Sequence, residues 1–145
     1  IIQETDPIEL ENCFRTYSGE LTGEASAGTQ IVIDGKVLRG SFDHFVDQKA
    51  IQMLSFFAAE CKIILAHAEI EVKTNEIPTA QALIKELGLS GYLFTLDALH
   101  CQTETVKVVK ETGNEVVVQV KANQPTLHND CQTIASSQPV ATVYQ

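Results

Sequence analysis

The order of the apolar segments limits the possible folds of this chain more than any other feature. Residues 29–34, 50–59 and 61–72 come first and have the β-branched and aromatic content of strands. The last two are separated by a very short connection, which suits an antiparallel pair. The pair Asp34-Gly35 is a hairpin-turn signal, so a return strand is predicted to begin at residues 37–38.

Further along the chain, predicted helices and strands alternate. Helices are predicted at 75–88, 102–112 and 125–136, and strands at 92–99 and 115–122. Antiparallel strands followed by alternating helices and strands indicate an α/β fold. We expect a mixed sheet of about five strands, the first three antiparallel, flanked by helices.

The first of these predicted helices has clear boundary signals. Asn75 can cap its N-terminus, Pro78 falls in its first turn, and Gly88 stands where a helix-ending glycine is common. The apolar residues between them recur at helical spacing, which indicates one buried face.

Residues 1–28 differ in composition from the remainder. They are acidic and rich in Ser, Thr and Gly, so we expect a lead-in with at most one short helix and a linker. Residues 29–145 are predicted to form the core. Because the chain opens without Met or a basic leader, we expect a piece of a longer protein. No apolar run approaches the ~18 residues of a membrane span, so we expect no membrane partner.

Charge and cysteine content narrow the function classes. Nineteen acidic and ten basic residues give a net charge of −9, which argues against a general coat for DNA or anionic membranes. Acidic clusters that hold Mg²⁺ remain compatible with this charge. The four cysteines form no C-x-x-C pair, so buried, reduced thiols in a cytoplasmic protein are expected rather than a zinc site.

Two aspartates stand within apolar runs. Asp34 follows Ile-Val-Ile, and Asp97 interrupts the run from residue 93 to residue 99. One reading is structural: Asp97 caps the following helix and Asp34 belongs to a turn. The other is that adjacent strands present both carboxylates at one edge, where a shared Mg²⁺ or Mn²⁺ would offset their repulsion.

The segments around these aspartates resemble a known family. IDGKVLRGS at 33–41, KTNEI at 73–77, TLDALHCQ at 95–102 and VKANQPTL at 120–127 are similar, in order, to motifs of bacterial insertion-sequence transposases of the H-repeat-associated type. The stretch AIQMLSFFAAE at 50–60 fits the same pattern less closely. The resemblance covers roughly residues 29–128.

The resemblance implies an RNase H-like fold and a DDE triad that binds two divalent cations for DNA cleavage and strand transfer. By position, Asp34 would be the first catalytic, metal-binding carboxylate and Asp97 the second. The third would be a glutamate on a helix well beyond residues 120–127. Residue 145 comes too soon for it, so we expect a truncated core that lacks the last catalytic helix and its ligand.

Several polar residues near these motifs have both a functional and a plain interpretation. Lys36 and Arg39 could bind phosphate or be solvated surface residues. Residues 121, 123 and 124 follow a predicted strand and could contact DNA, orient a carboxylate or form a simple loop: Lys121, Asn123 and Gln124. Glu76 could support the metal site or merely suit the start of a helix.

Three functions remain open at this point. The first is a DNA transposase catalytic core that acts on transposon ends and target DNA, as a homo-oligomer, in the cytoplasm or at the nucleoid. The second is a truncated, non-catalytic remnant that acts through protein pairing. A structure-selective nuclease of the same fold is a third, which the family motifs make less favourable.

Overall fold

The computed structural model describes residues 5–22, 28–38, 50–70 and 75–138. The elements follow one another as α1 (Pro7–Thr22), β1 (Gln30–Val37), β2 (Gln52–Ala58), β3 (Ile63–Ile70), α2 (Glu76–Leu87), β4 (Leu93–Leu96), α3 (Thr103–Glu111), β5 (Glu115–Val118) and α4 (Pro125–Ser137). A single turn of 3-10 helix, Ala98–His100, lies between β4 and α3.

The strands form one five-stranded sheet in the order β3-β2-β1-β4-β5. Strand β2 is antiparallel to both β1 and β3, whereas β4 is parallel to β1 and β5 is parallel to β4. The predicted mixed α/β sheet with three antiparallel strands first is therefore confirmed, as is its RNase H-like arrangement.

One face of this sheet carries the core. Ile31 and Ile33 of β1 are buried there beside Phe56 of β2 and Phe94 of β4, and the two phenylalanine rings meet edge to face at 6.2 Å. Helices α2 and α3 cover this face with buried aliphatic side chains: Ala80, Leu83, Ile84, Val108 and Val109. The burial of this apolar surface is the main force that holds the helices on the sheet.

The predicted boundaries of α2 are correct at its end and only partly correct at its start. Gly88 has the left-handed conformation (φ 60°, ψ 21°) that closes many helices. Asn75 occupies the cap position, but its side chain makes no capping hydrogen bond. The positional signal therefore located the helix, although the expected cap bond does not form.

The predicted hairpin turn at Asp34-Gly35 is wrong. Strand β1 continues through both residues to Val37, with Asp34 opposite Ser55 and Gly35 opposite Leu54 on β2. A Cβ added at Gly35 would lie 2.8 Å from the carboxylate atoms of Glu76. Glycine is thus required by a close approach within a strand, not by a turn.

Helix α1 is longer and more closely attached than the expected acidic lead-in. It has 16 residues and packs along β3, which is an edge strand. The buried Ser18 hydroxyl donates to the Leu65 carbonyl (3.1 Å), and the Glu11 carboxylate accepts from the His67 amide (2.7 Å). Side chains of α1 therefore satisfy backbone groups that an edge strand leaves unpaired. The expected linker at residues 23–27 lies outside the described residues.

Arg15 extends this attachment to α2. Its guanidinium donates to Glu11 (2.9 Å), to Glu86 of α2 (2.6 Å) and to the His67 carbonyl (3.3 Å). Partial burial opposes the charge of Arg15, but the hydrogen bonds to Glu11 and Glu86 outweigh it and raise its pKa. Glu11, one of the acidic residues of the predicted lead-in, and Glu86 of α2 thus help to fix α1 to the domain.

The cysteines are free, but the expectation that they are buried is wrong for three of them. Cys101 is buried, whereas Cys13, Cys61 and Cys131 are exposed. The exposed three lie on α1, on the β2–β3 connection and on α4, which do not face the core there. In the described part of the chain, no helix is long and apolar enough to cross a membrane.

Candidate active site

The sheet register brings the two aspartates to one edge. Strand β1 runs parallel to β4, and Val32 is opposite Thr95. The pairing ends there, and the same register continued by two residues along both segments would set Asp34 level with Asp97. Asp97 directly follows β4 and keeps an extended backbone (φ −76°, ψ 178°). Because level residues of adjacent parallel strands present their side chains to the same face, the two carboxylates share one face at this edge.

Asp34 is open to solvent. Its side chain is 61% exposed, and the Lys36 ammonium lies 3.7 Å from its Oδ2. An ion pair between two such exposed groups contributes little to stability, so it gives no structural reason for an acid here. The turn that would have supplied a structural reason does not exist, since β1 continues past Asp34.

Asp97 does have a structural task. It is the N-cap of the 3-10 turn, and its Oδ1 accepts a hydrogen bond from the Leu99 amide at 2.9 Å. The capping interpretation of Asp97 is therefore correct. A carboxylate has about four lone-pair sites on two oxygens, so one capping bond leaves capacity for a further ligand.

The amides of Asn123 and Gln124 hold the segment that begins at Asp97. Asn123 Nδ2 donates to the Ala98 carbonyl at 2.6 Å, and Gln124 Nε2 donates to the Cys101 carbonyl at 2.9 Å. Lys121, which precedes them in the same loop, is exposed. The loop after β5 therefore lies against the turn after β4.

Glu76 lies on the other side of the same turn. It is the first residue of α2, its carboxylate contacts Gly35, and its Oε1 is 3.2 Å from Nε2 of His100. A carboxylate only accepts hydrogen bonds, so Nε2 carries the proton in this contact. His100 is 1% exposed, and its Nδ1 has no partner among the described residues.

Sequence reasoning missed the link between Glu76 and His100. No spacing rule joins His100 to a helix start 24 residues earlier. The only signal was indirect: a buried histidine needs a hydrogen-bond partner, and acids at helix starts are natural acceptors.

The described residues do not complete a metal site by protein ligands alone. No group of three or more His, Cys, Asp or Glu side chains suited to a metal ion occurs in residues 5–22, 28–38, 50–70 and 75–138. The donor type at Asp34 and Asp97 still fits Mg²⁺, which prefers oxygen ligands and is commonly held by one or two carboxylates together with water. Arg39 lies outside the described residues.

Comparison with known proteins places the chain among named relatives. No protein-family model matches it. It is 34% identical over 129 residues, 89% of the chain, to the Escherichia coli K12 protein named "Putative transposase YncI". It is 26% identical over 128 residues, 88% of the chain, to "H repeat-associated putative transposase YhhI" from the same strain. The matches cover 52% and 34% of these two relatives, so the chain spans about a third to a half of their length.

A solved structure shares the fold. The cryo-EM structure of the piggyBac transposase synaptic complex with hairpin DNA superposes with a TM-score of 0.51 at 20% sequence identity. The match covers 83% of this chain and 29% of that chain. The chain is therefore homologous to these two putative transposases over 88–89% of its own length, and it has the RNase H-like fold.

Proposed function

We propose that this chain is part of a DNA transposase catalytic core, in which Asp34 and Asp97 together bind Mg²⁺ or Mn²⁺. The observation that supports the proposal is the β1–β4 register, which pairs Val32 with Thr95 and, continued by two residues, would set Asp34 level with Asp97. Two exposed acids on one sheet edge repel each other, and a cation between them relieves that repulsion. The named transposase relatives support the reaction class.

The chain's own residues would position the reacting groups. The two carboxylates are open to solvent, so a phosphodiester can approach this edge without a large rearrangement. The chemistry that divalent cations supply there is activation of the attacking water or 3′-hydroxyl and stabilisation of the leaving oxygen. Any further protein ligand would have to come from outside the described residues, since these hold no third suitable side chain at the site.

Nearby cations would contact the DNA backbone. Lys36 lies two residues beyond Asp34 on β1 and is 75% exposed at its side chain, and the exposed Lys121 lies in the loop next to the Asp97 turn. Arg39 would add to this group. The net charge of −9 gives the chain no general attraction for DNA, so these contacts would be local and would set register rather than overall affinity.

A non-catalytic role through protein pairing is the second candidate. It is favoured by α4, none of whose residues is buried, and whose Leu127 and Ile134 are 44% and 56% exposed. An amphipathic helix with its apolar residues in solvent is commonly covered by another protein surface. Under this alternative the acidic edge would bind no cation.

Cation binding by matched variants separates the two candidates. Titration calorimetry with Mn²⁺ should show binding that Asp34→Asn and Asp97→Asn each weaken by at least about tenfold, because each removes a charged ligand. Asp6→Asn is the matched control, since Asp6 also caps an amide two residues on (2.8 Å) but at the start of α1. Equal Mn²⁺ affinity in all four proteins would refute the metal site and favour the pairing role.

A further inference from the structure

From the sequence, Asn123 and Gln124 could contact DNA, orient a carboxylate or form a simple loop, and the structure shows what their amides bind. Both donate to backbone carbonyls of the turn that begins at Asp97. We infer that they are positioning residues: they fix this turn and thereby aim the Asp97 carboxylate at the sheet edge. The inference rests on the proposed function, because only a catalytic Asp97 needs to be aimed.

The first step is that the backbone hydrogen bonds within the 3-10 turn hold its conformation only weakly. Its internal backbone bonds run from the His100 amide to the Asp97 carbonyl at 3.2 Å and from the Cys101 amide to the Ala98 carbonyl at 3.3 Å. Both are long, as is common in a short 3-10 turn whose hydrogen-bond geometry is poor. The Asp97 carboxylate is itself joined to the turn by the Leu99 amide at 2.9 Å, so its direction follows the turn, and the position of the turn depends on contacts from outside it.

The second step is that the amide contacts are stronger than these internal bonds. They measure 2.6 Å to the Ala98 carbonyl and 2.9 Å to the Cys101 carbonyl. Ala98 and Cys101 are each 7% exposed, so carbonyls left without these donors would lack good access to water. The two amides therefore hold both ends of the turn, with Asp97 directly before the first of them.

The third step is that the amides serve the turn rather than the packing of α4. No residue of α4 is buried, so this helix does not depend on a core contact that the two amides would support. The loop reaches the turn because the Gln119 amide donates to the Leu96 carbonyl at 3.1 Å, which extends the β4–β5 pairing by one residue. The end of β5 is thus already level with the residue before Asp97.

The same geometry argues against a primary phosphate role for these amides. A phosphate oxygen would have to compete with carbonyls that already accept at 2.6 and 2.9 Å. Displacing the amides would remove the donor to the Cys101 carbonyl and would leave the Ala98 carbonyl with only the 3.3 Å bond from the Cys101 amide, which is unfavourable. Lys121, which is exposed in the same loop, is the better phosphate contact.

Amide hydrogen exchange and Mn²⁺ titration on the 145-residue chain test the inference. We expect Asn123→Ala and Gln124→Ala to speed exchange at the His100 and Cys101 amides by about tenfold relative to Phe94 in the core. They should also weaken Mn²⁺ binding by about tenfold, as changes to groups that orient a metal ligand do. Gln124→Glu keeps the shape but loses the donor, so it should behave like Gln124→Ala.

Two variants remove similar amides elsewhere and serve as controls. Gln81 donates to the Thr105 hydroxyl at 2.9 Å between α2 and α3, and Asn114 donates to the Leu89 carbonyl at 2.7 Å at the opposite end of β5. Gln81→Ala and Asn114→Ala should lower stability but leave Mn²⁺ affinity within about twofold of the unaltered chain. They therefore separate loss of positioning from general destabilisation.

The outcomes distinguish this inference from the proposed function. Unchanged exchange at His100 and Cys101 in both amide variants would overturn the inference, whatever the chain does with Mn²⁺. Faster exchange with unchanged Mn²⁺ affinity would overturn it too, provided that Asp97→Asn weakens binding. If Asp34→Asn and Asp97→Asn both leave Mn²⁺ affinity unchanged, the proposed function fails, and the exchange result alone decides whether the amides position Asp97.

Discussion

Replacing Gly35 by alanine tests the contact that joins β1 to the start of α2. A Cβ at this position would lie 2.8 Å from Cδ and from both oxygens of Glu76, which is closer than real Cβ atoms approach. Gly35 does not have a positive φ, so alanine is otherwise compatible with its backbone. Any destabilisation must therefore come from Glu76.

The expected loss of stability depends on whether the Glu76 side chain stays in place or moves away. If its carboxylate stays, the overlap costs about 1–3 kcal/mol, as overpacking does. If it moves, the 3.2 Å contact to the buried His100 is lost, and an unpaired buried group also costs about 1–3 kcal/mol. Alanine stabilises by about 0.4–1 kcal/mol by restricting the unfolded chain, so the net loss of stability should lie between about 0 and 2.6 kcal/mol.

Urea unfolding followed by circular dichroism measures this loss as a lower midpoint. The decisive measurement is a double-mutant cycle: in a Glu76→Ala background the obstruction is absent, and Gly35→Ala should be neutral or stabilising by up to about 1 kcal/mol. Gly19→Ala is the control, since nothing lies within 4 Å of its added Cβ and it stands within α1. That control should be stabilised by up to about 1 kcal/mol. An equal loss from Gly35→Ala in both backgrounds would refute the reasoning.

Two further predictions concern other contacts. Ser18→Ala should destabilise the chain by about 1–3 kcal/mol, because the largely buried Leu65 carbonyl loses its donor. Urea unfolding measures this loss, and Ser136→Ala, at an exposed position, is the control. Asp97→Asn should change stability by less than about 0.5 kcal/mol, because the asparagine oxygen still accepts from the Leu99 amide. Asp97→Ala removes this capping bond and should lower stability by about 0.5–2 kcal/mol. Equal thermal unfolding of the two Asp97 variants would contradict the capping role.

The fold could be predicted because its signals are local. Apolar runs and helical spacing identified the strands and the helices α2, α3 and α4, and the glycine at 88 marked the end of α2 correctly. The order of these elements leaves few ways to build a sheet, so the antiparallel and parallel parts followed.

Features that depend on tertiary contact could not be predicted. Asp34-Gly35 has the composition of a turn, and nothing near it in sequence reveals that Glu76 occupies the space beside Gly35. Glu11 adds to an acidic, solvated pattern, yet it accepts a hydrogen bond from the backbone of His67, 56 residues away.

The sequence predicted where the candidate site lies better than it predicted what each of its residues does. The aspartates were identified because acids are unusual within apolar runs, and the structure has Asp34 on β1 and Asp97 directly after the neighbouring β4. Asn123 and Gln124 were identified as polar residues after a strand, but their carbonyl partners belong to a turn more than twenty residues earlier. Position in the sequence identifies such amide side chains, whereas only the three-dimensional structure shows which carbonyls they bind.

The attachment of α1 to β3 has a consequence for how the chain behaves among its own copies. The Leu65 carbonyl and the His67 amide and carbonyl are groups through which another strand would add to the sheet, and α1 occupies them with side chains. Helix α1 thereby blocks strand addition. Detaching it would expose β3 as an edge to which the β3 of a second molecule could add, so loss of α1 would favour pairing of two copies through this edge.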